Sequence, residues 1–155
     1  MGQSYSISTE VEIAAPPATV RSVFLDWERY HEFTNVWTIT TRTESTKAHE
    51  LKEGDTVKAS IKGMTFKPKI VENKPELFSW CGSLPYIFTG THSFHFRPST
   101  QTPGGTVMTQ EESFSGLLAQ LIGPFPSLMN GTRKNWREFD QDIKDESEKL
   151  AAARS

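Results

Sequence analysis

Apolar and polar residues alternate from Tyr5 to Ile13, with Tyr5, Ile7, Thr9, Val11 and Ile13 on one face and Ser6, Ser8, Glu10 and Glu12 on the other. A period of two sustained this far predicts a half-buried first strand. After Ala14-Ala15-Pro16-Pro17 the period lengthens, and Val20, Val23, Phe24 and Trp27 recur at helical spacing. Proline in a first helical turn has its φ already set and no N–H to lose, so two short helices are expected over 17–33.

Beyond them the period returns to two and stays there to residue 114, which predicts a run of consecutive antiparallel strands. Val57, Ala59 and Ile61 alternate with Lys58, Ser60 and Lys62, and Phe66, Pro68 and Ile70 alternate with Lys67 and Lys69. A two-residue turn at Gly63-Met64, with glycine in the first central position, would set Ile61 opposite Phe66, Ala59 opposite Pro68 and Val57 opposite Ile70. In that register Pro68 occupies a non-hydrogen-bonded position, and a bulge is expected toward the following strand.

The next strand, 77–82, would turn Phe78 and Trp80 inward. The strand 87–97 would do the same with Phe88, Gly90, His92, Phe94 and Phe96, and the strand 106–114 with Met108, Gln110, Glu112 and Phe114. Helical spacing resumes at Leu118, Leu121, Ile122 and Phe125, breaks near Pro124 and Pro126, and continues through Met129, Trp136, Phe139, Ile143 and Leu150. A long helix over 127–152 follows, whose acidic residues Asp140, Asp142, Asp145, Glu146 and Glu148 read as a solvated face.

Composition narrows the picture further. A chain of 155 residues is of the size of one domain, taken here as 1–155. Its 17 Lys+Arg against 19 Asp+Glu offer no general attraction for nucleic acid phosphates or anionic lipid. Cys81 is the only cysteine, so no internal disulfide is expected, and the four histidines have no neighbouring cysteine to make a zinc site. No secretory signal opens the chain, and the most apolar stretch, 117–125, is interrupted by Gln120, Gly123 and Pro124 and is too short to span a bilayer. A cytoplasmic protein with no stable membrane insertion is expected. Gly2 and Ser6 fit the loose N-myristoylation pattern, which is short enough to recur by chance.

The order of strand, two short helices, six strands and one long helix resembles the START-like (SRPBCC) superfamily of polyketide cyclases, lipid-transfer proteins and birch-pollen-type allergens. The resemblance covers nearly the whole chain. It is carried by 11–20, by Trp27-Glu28-Arg29-Tyr30-His31-Glu32-Phe33, by Gly90-Thr91-His92-Ser93-Phe94-His95-Phe96 and by Glu112-Ser113-Phe114-Ser115-Gly116-Leu117-Leu118. It implies an α+β helix-grip fold: a seven-stranded curved antiparallel sheet around a long C-terminal helix, with a cavity between them for a lipid, polyketide or terpenoid-like metabolite.

The inner-face residues give that implication chemical content. Trp37, Phe66, Phe78, Trp80, Tyr86, Phe88, Phe94, Phe114, Phe125 and Met129 are the expected apolar ligand contacts, being large and mostly flat. His92 on one strand would lie across from Gln110 or Glu112 on the next and diagonal to the other. Gln110 is expected to orient a ligand's hydroxyl or carbonyl, and His92 with Glu112 are the candidate acid and base. A self-satisfied His–Glu pair is the competing reading. His92 and His95 point to opposite faces of one strand and cannot chelate a metal together, Cys81 faces outward, and no cofactor is expected. Two functions lead, binding of a small hydrophobic metabolite or a cofactor-independent cyclase, dehydratase or isomerase in the same cavity, and the breadth of the resembled superfamily adds a third, a protein-interaction module of the co-chaperone type.

Overall fold

The computed structural model describes residues 5–84, 88–115 and 126–155, with side chains throughout except at 5, 83, 84, 88 and 126–129. The first strand, β1 (Tyr5–Ile13), leads into α1 (Pro17–Phe24), a 3-10 turn (Trp27–Arg29) and α2 (Tyr30–Phe33), which together fill the predicted helical stretch. α1 starts with proline in its first turn and buries Val20, Val23 and Phe24. The strands β2 (Trp37–Thr41), β3 (Val57–Ile61), β4 (Met64–Phe66), β5 (Lys69–Lys74), β6 (Leu77–Leu84), β7 (Phe88–Pro98) and β8 (Thr106–Ser115) follow, and α3 (Pro126–Ala153) ends the chain.

The strands form a five-stranded sheet in the order β1-β8-β7-β6-β5 and a three-stranded sheet in the order β2-β3-β4. A bridge between Thr56 and Lys69 joins the two. Eight strands thus replace the expected seven, and the cause is Pro68. The β3–β4 hairpin turns at Lys62-Gly63 rather than Gly63-Met64, with φ of 45° and 89°, and pairs Ile61 with Met64 and Ala59 with Phe66. Positive φ at both central residues marks a primed hairpin turn, with glycine second and a lysine accepting the left-handed conformation.

In this register Val57 N–H donates to the Pro68 carbonyl at 3.1 Å. Pro68 therefore occupies a hydrogen-bonding position, not the silent one expected, and with no N–H to return the bond it divides the strand into β4 and β5. The expected bulge toward β6 falls between Ile70 and Glu72. Because the register error is two residues, every side chain keeps its predicted face.

α3 packs on β1 and α1. Phe24 of α1 joins sheet to helix, with its ring centroid 4.5 Å from Phe94, 5.2 Å from Phe78 and 6.4 Å from Phe139. The acidic side of α3 is not the solvated face expected. Asp140 is 3% exposed and Glu146 8%, and Asp145 alone among the five acidic residues is exposed. Glu146 accepts from Arg29 at 3.0 Å, while Lys144 Nζ donates to the Glu12 carbonyl and Glu148 accepts from Ala14 N–H. The last two contacts lie at the end of β1, the edge strand beside α3.

Candidate functional site

The inner face of the β7–β8 pair holds the candidate chemistry. The register sets His92 opposite Glu112 and Phe94 opposite Gln110, so His92 meets Glu112 directly and Gln110 on the diagonal. His92 is 2% exposed and its ring is sandwiched, with the Phe94 centroid at 4.3 Å and the Trp136 centroid of α3 at 4.5 Å. Its Nε2 lies 3.0 Å from Gln110 Oε1, and its Nδ1 lies 3.6 Å from Glu112 Oε2.

Gln110 is fully buried and its amide is committed on both sides. Nε2 donates to the Trp136 carbonyl at 3.2 Å and to Asp140 Oδ1 at 2.5 Å, while Thr9 Oγ1 donates to Asp140 Oδ2 at 2.8 Å. A continuous polar thread thus runs from Thr9 on β1 through Asp140 on α3 and Gln110 on β8 to His92 on β7, and ends at Glu112. Residue type argues for solvent at Asp140, yet the side chain is buried. Its position is the signal that identifies it: it lies four residues after Trp136 and three before Ile143, on the buried stripe of α3.

Burial sets the protonation of this thread. Desolvation lowers the His92 imidazole to about 3, against the upward pull of its hydrogen bond with Gln110. Desolvation raises the Glu112 carboxyl to about 7 and the Asp140 carboxyl to about 6, the latter opposed by hydrogen bonds from Gln110 and Thr9 and by nearby Arg137. At neutral pH the corner holds an uncharged imidazole beside a carboxyl poised between its two forms. Only Glu112 reaches outward, with its side chain 20% exposed.

The other predicted residues divide into groups. Trp37, Trp80 and Phe66 extend the wall from His92, with Trp37 5.5 Å from Trp80, 6.0 Å from Phe66 and 6.1 Å from His92 between ring centroids. Trp37 carries a buried indole N–H without a hydrogen-bond partner among the described residues. Phe78 and Phe94 belong to the same wall but also pack on Phe24, within the core. Phe114 continues the inner face of β8, half-buried and opposite Gly90. Tyr86 and Phe125 lie outside the described residues, as do the side chains of Phe88 and Met129.

A concavity of about 1080 Å³ lies between α1, α2, β2 and the segment reaching His49, and Trp37 lines it as well. His92, Gln110 and Glu112 are not among its described lining residues. Its cations are already engaged, Arg21 by Asn73 and the Lys74 carbonyl and Lys47 by Glu28, so the chemistry points to the β7–β8 corner instead. Among the described residues, no group of three His, Cys, Asp or Glu is arranged to hold a metal, and no helix is long and apolar enough to cross a membrane.

Comparison with known proteins agrees with the fold. Residues 4–152 match the family model described as "Polyketide cyclase / dehydrase and lipid transport". No curated protein matches the sequence. Among solved structures, a START superfamily protein from Mycobacterium smegmatis is similar at 14% identity and TM-score 0.68, over 94% of this chain and 98% of that one. A Thalictrum flavum norcoclaurine synthase mutant, in complex with a transition-state analogue, is similar at 12% identity and TM-score 0.65, over 95% and 96%. The di-domain aromatase/cyclase BexL of the BE-7585A biosynthetic pathway is similar at 16% identity and TM-score 0.68, over 94% of this chain and 50% of that one. At these identities the likeness is one of fold.

Proposed function

Because this chain belongs to the polyketide cyclase / dehydrase and lipid transport family, we propose that it binds a small hydrophobic metabolite of lipid, polyketide or terpenoid type between the curved sheet and α3. The observation that carries this reading is the polar corner at one end of an aromatic wall. His92 and Gln110 are held rigidly by buried partners, while Glu112 keeps a partly exposed carboxyl beside them. A ligand with an apolar body and one polar oxygen matches such a surface. The single cysteine and the near-neutral charge favour a cytoplasmic setting and a small molecule over nucleic acid as the partner.

A second reading, a cofactor-independent cyclase, dehydratase or isomerase, is favoured by one further observation. Glu112 is raised to about 7 and stands 3.6 Å from an imidazole nitrogen, so near neutral pH one carboxyl in the site is available both as acid and as base. Native mass spectrometry and thermal shifts against panels of lipids, polyketides and terpenoids test the binding reading. A retained molecule and a saturable shift are expected, and absence of both across the panels would overturn it. Conversion of a bound molecule would separate the two readings, and His92→Ala and Glu112→Ala then test the roles: loss of turnover is expected, and unchanged turnover would overturn the assignment.

A further inference from the structure

The orientation of the Gln110 amide is forced by its surroundings. Its Nε2 faces two acceptors, the Trp136 carbonyl and the Asp140 carboxylate, and the opposite orientation would set the amide oxygen against both. Oε1 must therefore face His92, and an oxygen at 3.0 Å from Nε2 requires that nitrogen to carry the hydrogen. A neutral imidazole with its hydrogen on Nε2 has a bare lone pair on Nδ1. Glu112 Oε2 lies 3.6 Å from that nitrogen, a gap too long for a hydrogen bond.

Two atoms 3.6 Å apart both lie within hydrogen-bonding reach of one oxygen placed beside them. A hydroxyl suits that position because it can accept from a Glu112 O–H and donate to Nδ1. A carbonyl or ether oxygen can only accept, and would set its own lone pair against the imidazole's. We propose that Asp140, acting through Gln110, fixes His92 as the Nε2–H tautomer, so that Nδ1 and the Glu112 carboxyl together receive one hydroxyl, phenolic or enolic, of an apolar ligand. Asp140 is then a positioning residue, and the groups facing the pair are Gln110 and Glu112 from β8, Asp140 and the Trp136 ring from α3, and Trp37 from β2. The raised carboxyl of Glu112 agrees with a proton donor at that place. The ligand class rests on the binding reading above, whereas the tautomer does not.

Imidazole nitrogen NMR of the free protein tests the tautomer without any ligand. At neutral pH the wild type is expected to show His92 Nδ1 far downfield, as an unprotonated nitrogen, and Nε2 carrying the proton. An Nδ1–H form or an imidazolium would overturn the proposal by itself, whatever the variants do. Asp140→Leu is expected to release the amide and move His92 to the other tautomer or a mixture. Asp140→Asn, which can still accept from Gln110 and donate to Thr9, is expected to keep the wild-type signature. Loss of the signature in Asp140→Asn, or its survival in a folded Asp140→Leu, would remove Asp140 from the role. The ligand class is tested with naphthol, methoxynaphthalene and methylnaphthalene, where naphthol is expected to bind about tenfold or more tightly than the other two. Equal binding of all three overturns the hydroxyl assignment. Binding of none, with the tautomer as expected, counts against the binding reading and leaves the role of Asp140 standing.

Discussion

The β7–β8 pair carries a histidine–glutamate couple on each of its faces. On the outer face, His95 Nε2 lies 2.9 Å from Glu111 Oε1, with the glutamate side chain 51% exposed and Arg97 3.1 Å from the other ring nitrogen. On the inner face, His92 and Glu112 stand 3.6 Å apart, yet the imidazole is pushed down to about 3 and the carboxyl up to about 7. The closer couple is the solvated one. What distinguishes the two is the low-dielectric surroundings: rings stacked on both sides of His92, and a buried amide that dictates which nitrogen holds the hydrogen. Proximity of an acid and a base thus says little about chemistry until burial is known.

The strongest way to break this contrast is to remove the inner couple's cover. Trp136 is 1% exposed, stacks on His92 and supplies the carbonyl that holds Gln110. Trp136→Ala is expected to cost about 3–5 kcal/mol of stability by urea denaturation, through lost burial and an unfilled cavity. A cost below about 1 kcal/mol, the range of surface changes, would mean that the helix does not seal the corner.

The second test turns on the direction of the Glu112 shift. A carboxyl whose folded value is raised from 4.5 to about 7 contributes its stability fully below 4.5 and loses it as pH rises through about 7. Asp140, raised to about 6, acts in the same sense over a lower window. His92, lowered to about 3, acts in the opposite sense, its contribution being present above 6.5 and lost as pH falls. Glu112→Gln removes only the first of these and leaves an amide able to donate to Nδ1. The variant is expected to gain about 3 kcal/mol on the wild type between about pH 4.5 and 8, most of it between about pH 5 and 7, by denaturation at a series of pH values. Parallel curves for the two proteins would show that burial does not control this carboxyl.

The contrast between the faces was legible in the sequence because it depends on parity alone. His92, Gln110, Glu112 and Phe94 fell on the inner face from the period of two, and the hairpin error at Lys62-Gly63 left faces intact because it displaced partners by two residues. Which turn would form was not legible, since the competing choices differ only in whether a lysine accepts φ of 45°. The split at Pro68 followed from that choice. Asp140 was missed for a different reason: residue type argued for solvent while its place between Trp136 and Ile143 argued for the interior, and the helix period was the better guide. Glu146 repeats the lesson, lying between Ile143 and Leu150 with Arg29 as its partner.

The outer couple sets the lower end of the scale. His95 and Glu111 are close, but an exposed glutamate is screened by water and salt, and holding two side chains in one geometry costs entropy. A double-mutant cycle over His95→Ala and Glu111→Ala is expected to return a coupling of about 0.2–1 kcal/mol at low salt, shrinking as salt is added. The inner couple should not follow that salt dependence, because ions do not reach a side chain that is 3% exposed. If the outer couple instead coupled by several kcal/mol and ignored salt, distance would govern after all, and the case for a chemically distinct inner corner would lose its physical basis.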